Sequence, residues 1–411
     1  MDLLPVPPPS LPSAYGTDER LEIRDLARRF AMEEVLPLAN ELDPVQGEMP
    51  DELVAQMGKM GFFGIMIGEE HGGLGLGLFE YVLVTEELAR AWMSVASIIA
   101  RGNGHGGQFP TSLRDELVPR VARGEYLGAT AISEPDAGSD VASIRTRAER
   151  AGDVWVLNGQ KMWCTFADRA DYLIVYARTT PYDPERRQAG IRSFYIPKER
   201  GSFPPGMTGN PIRKIGYHGW KTWELSLNDV RVPGEFLLGR EAEAGDAKAG
   251  FKALSRGLSV ARVHTAARSI GLARGALEDA VAYAQQRKQF DQPIGDFQAI
   301  RFKIGHMASE VEACRALMYQ VAADADAGLA VDHQASMVKY LASEMAERVT
   351  SEALQIHGGA GYTTDLPIER YWRDARLTKI FEGTSEIQLR IVSDRLLPRP
   401  ARSTRARDAT T

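Results

Sequence analysis

The stretch Ile380-Phe-Glu-Gly-Thr-Ser-Glu-Ile-Gln388 holds the carboxylate with the most chemistry open to it. Ser385, followed three residues later by Gln388, reads as a capping box that opens a helix. Gly383 allows a sharp backbone turn just before it. Glu382 then stands immediately upstream of a helix N-terminus, beside the ring of Phe381. A carboxylate in that place either caps exposed backbone N–H groups or takes a proton from a carbon acid whose oxyanion those N–H groups hold. The residue types alone leave both readings open.

Other clusters suit a large ligand. Arg287-Lys-Gln-Phe290 is followed by Asp296-Phe-Gln298, a cation at one helix end and an amide at the next helix start. Such a pair could hold a diphosphate, and Arg287 could equally complement a helix dipole in water. Gln355-Ile-His-Gly358-Gly359 ends a helix in two glycines, which serve as a C-cap and also permit close approach of a flat or phosphate-bearing ligand. His357 has no partner at metal-ligand spacing, so no metal site is expected. Ser133-Glu-Pro-Asp-Ala-Gly-Ser139-Asp140 is a loop dense in small residues. Trp163-Cys-Thr165 offers an aromatic wall and a hydroxyl to a ring with polar edges. Gly73-Leu-Gly75-Leu-Gly77 lacks the dinucleotide-loop spacing and follows no strand pattern, so it reads as a flexible loop.

The elements that must position these groups follow from hydrophobic period. From Asp18 to about Glu125 the pattern is helical, with Leu21, Leu26 and Phe30 near one face and a second helix over Phe79–Ile99. From Gly128 to Leu238 it becomes strand-like. Val154–Leu157 and Gln160–Thr165 flank Asn158-Gly159, the signature of a hairpin turn. Tyr172–Ala177, Ser193–Ile196 and Trp223–Leu227 read as further strands. From Lys248 to Leu397 the helical period returns in three stripes. One contains Ile270, Ala273, Leu277, Val281 and Ala284. Another runs Ile300, Ile304, Met307, Val311, Cys314, Met318 and Val321. The third holds Val338, Leu341, Met345 and Val349. Long helices with single apolar stripes predict a four-helix bundle. The expected fold class is α+β. It has an N-terminal helical domain over 16–127, a middle antiparallel β-barrel or sandwich over 128–243, and a C-terminal bundle over 244–397. Disordered tails are expected at 1–15 and 398–411.

Composition narrows the partners. The 411 residues are 44% hydrophobic and 25% charged, with a net charge of −6, which disfavours a nucleic-acid backbone as ligand. Cys164 and Cys314 form no disulfide or zinc pattern. No run approaches the roughly 20 apolar residues of a membrane span, and no basic leader is visible. A cytoplasmic location is expected.

Taken together, five motifs resemble the acyl-CoA dehydrogenase family from about residue 18 to 397. They are Ser133–Asp140, Trp163–Thr165, Arg287–Phe290, Gln355–Gly359 and Phe381–Ser385, in the family's order. The resemblance implies FAD as cofactor and Glu382 as the base that removes an acyl-CoA α-proton, with trans-2-enoyl-CoA as product. It places Ile132, Ser133, Ser139, Trp163 and Thr165 around the flavin, with Ser139 also near substrate. Arg287, Gln289, Phe290, Gln298, Gln355, Gly358 and Gly359 would hold the diphosphate and adenine, in part across a subunit interface. Thr384 and Glu386 would touch FAD, and Arg262 and Gly383 the acyl-CoA. Some members carry the base on the first bundle helix, where this chain has Ala261. The resemblance further implies an electron-transferring flavoprotein or similar acceptor, and a homotetramer or homodimer. Three departures stand out. Phe166-Ala167-Asp168 replaces the usual Asn-Gly after Trp-x-Thr, Gln289 stands where Thr is common, and Gly216–Trp223 is bulkier than usual. An acyl-CoA oxidase or flavin monooxygenase on the same fold, and a non-catalytic flavin- or CoA-binding protein, are the competing functions.

Overall fold

The computed structural model describes residues 11–104, 109–239 and 247–397. The chain opens with helices α1 (Asp18–Phe30), α2 (Leu36–Leu42), α3 (Asp51–Lys59), α4 (Leu78–Ala91), α5 (Met93–Ile98), α6 (Ala100–Asn103) and α7 (Arg114–Ala122). Thr17 caps α1 by accepting from the Arg20 N–H, with Asp18 and Glu19 in the first turn and Arg28 and Arg29 in the last, as the helix dipole favours. Arg24, Ala27 and Phe30 face inward, whereas Leu26 is exposed. Five residues from Leu21 is 500° of rotation at about 100° per residue, so Leu26 drifts off the stripe. Tyr15, assigned to a tail by sequence, is anchored. Its ring packs 5.2 Å from Phe79 and its hydroxyl donates to Gln320 at 2.8 Å. The tail expected over 398–411, and that over 1–10, lie outside the described residues.

The helix expected over 79–99 breaks at Trp92, which is extended at φ −157° and ψ 116°. The break buries the indole beneath Gly219, where a Cβ would come within 2.9 Å of the ring.

The middle region forms one seven-stranded sheet of β1 (Gly128–Ala131), β2 (Arg147–Ala151), β3 (Val154–Thr165), β4 (Tyr172–Arg178), β5 (Ile191–Pro197), β6 (Met207–Ile212) and β7 (Thr222–Pro233). Its order is β1-β4-β2-β3-β7-β6, with β5 also on β4. Two features correct the sequence reading. The sheet is mixed, because β1 and β4 run parallel, Gly128 opposite Tyr172. The β2–β3 hairpin lies between these two strands in sequence and supplies the long crossover that parallel neighbours need. Secondly, Asn158-Gly159 is no hairpin turn. The turn falls at Gly152, φ +63°, and β3 runs straight through Asn158-Gly159. There the pairing with β7 shifts register, and the Asn158 amide exchanges hydrogen bonds with Asp229 across the bulge.

The C-terminal region contains α8 (Ala249–Gln286), a short ribbon β8 (Lys288–Gln289) and β9 (Gln292–Pro293), then α9 (Gln298–Asp326), α10 (Asp332–His357), α11 (Ile368–Thr378) and α12 (Ser385–Leu396). Helix α8 is central and packs on α4, α9, α10 and α11. On α10 the buried stripe passes through Ala335, Val338, Ala342, Met345, Ala346, Val349 and Ala353, while Leu341 is exposed. Alanines at those positions let α10 approach α8 closely. Both cysteines are buried and free.

Every residue of α4 is buried, including Glu80, Glu86, Glu87 and Arg90. Arg20 on α1 meets Glu80 at 2.6 Å, and the other three charges are met from the bundle. Arg274 Nη1 donates to Glu87 at 2.7 Å, Arg315 Nη2 pairs with Glu86 at 3.0 Å, and Arg90 Nε pairs with Glu278 at 2.9 Å. This network ties α4 to α8 and α9, so the first region cannot shift against the bundle without uncompensating buried charge.

Candidate active site

Glu382 lies in the six-residue turn between α11 and α12. It and Gly383 are both left-handed, at φ +54° and +89°. A non-glycine residue there costs roughly 1–2 kcal/mol, so the turn must be held by its surroundings. Lys339 Nζ donates to the Gly383 carbonyl at 2.7 Å, and Gln388 Nε2 donates to the same oxygen at 2.9 Å and to Glu382 O at 3.3 Å. The helix cap differs from the sequence reading by one residue. Thr384 is the N-cap and its hydroxyl accepts from the Ile387 N–H, while Ser385 is the first helical residue and donates to Glu344 at 2.7 Å. The amide of Gln388 is spent on the left-handed pair, so it is not available for the reciprocal cap.

The Glu382 side chain is half-buried and sits among cations. Lys339 on α10 is fully buried, and burial pushes its ammonium down to about 8, against the pull of Glu382. Arg262 on α8 is 7% exposed, and burial lowers it while Asp332 and Glu382 raise it. Tyr81 on α4 is buried; desolvation raises its hydroxyl, with Arg268, Glu382 and Arg101 all within electrostatic reach. His264 stacks on Tyr81 at 4.9 Å, and burial beside Arg268 holds its imidazole well below the ordinary value. Phe381 is gripped on two sides. Tyr217 lies edge-on at 6.0 Å and the Arg268 guanidinium sits 4.5 Å from the ring centroid. The bulky Gly216–Trp223 stretch thus forms the wall behind Phe381, pinned by Tyr217 N–H to Asp374 at 2.6 Å and Trp220 Nε1 to Ser94 O at 3.1 Å.

The sheet brings a second group together. The Met162 N–H donates to Ser133 O at 2.8 Å, which joins the Ser133–Asp140 loop to the end of β3. Beneath it, fully buried Lys161 pairs with Glu134 at 2.8 Å and donates to Ile132 O at 3.0 Å. Glu134 also accepts from the backbone of Arg145 and Thr146, at 2.6 and 2.9 Å. A second bulge in the β3–β7 pairing, between Lys161 and Cys164, turns Trp163 outward at φ +64° and leaves it 57% exposed. The Thr165 hydroxyl lies 3.0 Å from that of Thr222, and its carbonyl accepts from Arg101 at 3.2 Å. Arg101 also reaches Tyr81 electrostatically. Ser139 is exposed at the loop's end.

A third group stands apart from Glu382. Arg287 caps the end of α8, Gln289 and Phe290 follow it, Gln298 opens α9, and Gln355, Gly358 and Gly359 close α10. The stacking of Tyr283 on His357 at 4.4 Å holds the two helix ends together. His357 Nδ1 also donates to Ala353 O, 2.7 Å away, and no metal-holding cluster occurs among the described residues. Phe290 is 88% exposed, and a Cβ at Gly358 or Gly359 would meet nothing within 4 Å. Arg262 and Arg287 are 25 positions apart on or at the end of one helix, roughly 38 Å at 1.5 Å per residue. Thr384 and Glu386 stand at the start of α12, where the Glu386 carboxyl is held low by its own backbone N–H and the Thr384 hydroxyl.

Sequence reasoning missed Tyr81, Arg101, His264, Arg268, Lys161 and Lys339. For Lys339 a signal existed, because it falls on the inward α10 face with Ala335, Ala342 and Ala346.

Comparison with known proteins bears on the family and the fold. Models of the acyl-CoA dehydrogenase N-terminal, middle and C-terminal domains match residues 17–125, 129–230 and 248–397. The chain is 39% identical over 391 residues to a 3-(aryl)acrylate reductase of Clostridium sporogenes, covering 93% of this chain and 100% of that one. Butyryl-CoA dehydrogenase from Megasphaera elsdenii superposes with a TM-score of 0.85 at 35% identity, over 93% of this chain and 99% of that one. A glutaryl-CoA dehydrogenase from Mycobacterium smegmatis, in complex with FADH2, does so with a TM-score of 0.85 at 28% identity, over 94% and 96% of the two chains. With all three domains matched in order along nearly its whole length, the chain belongs to the acyl-CoA dehydrogenase family.

Proposed function

We propose that Glu382 is the base of an FAD-dependent acyl-CoA dehydrogenation, taking the α-proton of the thioester. The supporting observation is the strained turn. Two consecutive left-handed residues aim the Glu382 carboxylate into a cluster of cations, and Lys339 and Gln388 hold that backbone in place. The Glu382 N–H has no acceptor among the described residues. It is therefore free to donate to a thioester carbonyl as negative charge develops on that oxygen. The carboxylate removes the proton from the α-carbon and the α–β double bond forms as the β-hydride leaves. Bound FAD supplies the hydride acceptor. Arg262, Lys339 and Tyr81 keep the carboxylate's surroundings polar.

The residues present suit a flavin. Trp163 is a half-exposed indole projected by a bulge, which a planar ring would cover favourably. Arg287, Gln298, Gln355 and the open Gly358-Gly359 turn offer a cation, amides and approachable backbone for a diphosphate and adenine. These groups sit at the opposite end of α8 from Arg262, which fits a cofactor shared with a second copy of the chain in a homodimer or homotetramer. Ser139, Gly383, Thr384 and Glu386 line the approach of the acyl-CoA and ribityl chain. Electrons would leave to an electron-transferring flavoprotein. No described helix is long and apolar enough to cross a membrane.

The test is anaerobic mixing of the flavin-loaded enzyme with a panel of acyl-CoA thioesters. Glu382→Gln should keep its flavin and lose bleaching by several orders of magnitude. Bleaching at the wild-type rate would remove Glu382 from the role of base.

A further inference from the structure

We propose that Arg268 receives a carboxylate at the far end of the substrate's acyl chain, so that the thioesters handled beside Glu382 are those of dicarboxylic acids. The inference rests on the reading of Glu382 as the base of an acyl-CoA dehydrogenation.

Arg268 lies on α8 and is 3% exposed. Its Nη1 donates to Ser97 Oγ at 2.9 Å and its Nη2 to Thr265 Oγ1 at 2.8 Å. Both partners are neutral hydroxyls, and each already donates its own proton to its helix, Ser97 to Met93 O and Thr265 to Ala261 O. The Nε has no hydrogen-bond partner at all. Among the described residues no carboxylate comes within ion-pair distance of this guanidinium. Three other deeply buried arginines of the same core, Arg90, Arg274 and Arg315, each meet a glutamate. Arg370 instead spends its guanidinium on Asn40 and a backbone carbonyl, remote from Glu382 in the contacts it makes. Burying a cation without a carboxylate is costly, and at Arg268 that cost falls beside the base.

The position of that open cation is what gives it a use. Its guanidinium stacks on Phe381, the residue before Glu382. Tyr81 and Lys339 each lie within electrostatic reach of both Arg268 and Glu382. The guanidinium and the base therefore share one neighbourhood, with Phe381 next to both. The patch is short of negative charge. Arg262 has Asp332 nearby and Lys339 has Glu344, whereas Arg268 makes no ion pair among the described residues. When Glu382 takes a proton it becomes neutral, and the imbalance grows. A carboxylate on the substrate would supply the missing charge and the acceptor for Nε. The fork is already oriented by Ser97 and Thr265, so little entropy is lost in meeting it.

A plainer reading makes Arg268 a prop for Phe381 through the cation–π contact. The two readings part on substrate preference. The flavin-loaded enzyme is mixed anaerobically with thioesters matched in length: succinyl- against butyryl-CoA, glutaryl- against pentanoyl-CoA, adipyl- against hexanoyl-CoA. The wild type should favour the dicarboxylic member of at least one pair by about tenfold or more in kcat/KM. Arg268→Gln should lower that ratio about a hundredfold, and Arg268→Lys should restore part of it. A wild-type preference for the monocarboxylic member of every pair overturns the proposal. So does a loss in Arg268→Gln that is equal for both members, which is what a prop predicts. If Arg268→Gln yields no flavin-loaded protein, the wild-type preference decides alone. If no thioester of either kind bleaches the flavin, the dehydrogenase reading has failed and the proposal falls with it; that outcome is recognisable because the monocarboxylic thioesters fail too.

Discussion

Lys339 Nζ lies 2.7 Å from the carbonyl oxygen of Gly383, so a fully buried ammonium on α10 fastens the left-handed turn that presents Glu382. Replacing it by methionine keeps the bulk and removes the donor. Lys339→Met should leave flavin bound but slow thioester-dependent bleaching by about ten- to a hundredfold, the cost of one buried bond to a positioned backbone. Stopped-flow absorbance gives the rate, and an unchanged rate would show that Gln388 alone suffices.

The same lysine carries a pH signature. Burial pushes it down to about 8 from 10.5, so between those values the unfolded chain binds the proton and the folded chain does not. Stability contributed by this group therefore rises with pH from about 8 to 10.5. Thermal melts from pH 7.5 to 10 should show a larger gain in wild type than in Lys339→Met. Parallel curves would mean that the buried amine keeps its proton.

The network joining α4 to α8 should titrate with the same sign, but at acid pH. Burial pushes the Glu87 carboxyl up, but Arg274 and Arg28 outweigh it and hold it below 4.5. The stability it contributes is present above the ordinary carboxylate range and is lost as pH falls through its lowered value. Arg274→Met strands Glu87 and should cost roughly 3–5 kcal/mol. Urea midpoints measured at pH 7 check the figure, and a loss below 1 kcal/mol would mean that Arg28 and Arg315 compensate.

The three-part architecture was legible because the hydrophobic period changes twice, near Gly128 and near Lys248. What was not legible was decided by contacts distant in sequence. Asn158-Gly159 looks like a turn locally, yet β7 claims both sides of it and makes it a bulge. Leu341 keeps helical spacing, yet the close approach of α8 selects Ala342 instead. Glu382 was singled out through its motif. Arg268 and Tyr81 were not, because a polar residue on a helix buried all round has the same spacing as one on a solvent face. Only the partner helices show which it is.

Trp163 offers a test of the flavin cradle that is separate from stability. Its indole makes no hydrogen bond among the described residues, the residue is 57% exposed, and it strains the backbone at φ +64°. Trp163→Ala should move the melting of the flavin-free protein by no more than about 0.5 kcal/mol equivalent, as surface substitutions do. The flavin-loaded form should melt lower and bind FAD more weakly. An equal shift in both forms would mean that the indole packs only on protein.

At the other end of α8, the Arg287 guanidinium makes no hydrogen bond or ion pair among the described residues, although its backbone N–H is satisfied at Tyr283 O, 2.8 Å away. Removing the side chain therefore breaks nothing internal. Arg287→Ala should fold as the wild type does and lose FAD on dialysis, read from the flavin-to-protein absorbance ratio. Arg287→Lys should fall between them, because an ammonium gives a diphosphate a point charge without the planar two-pronged donor. If the residue serves only the helix dipole, flavin content stays constant through the series, and melting falls by less than about 1 kcal/mol for alanine and not at all for lysine.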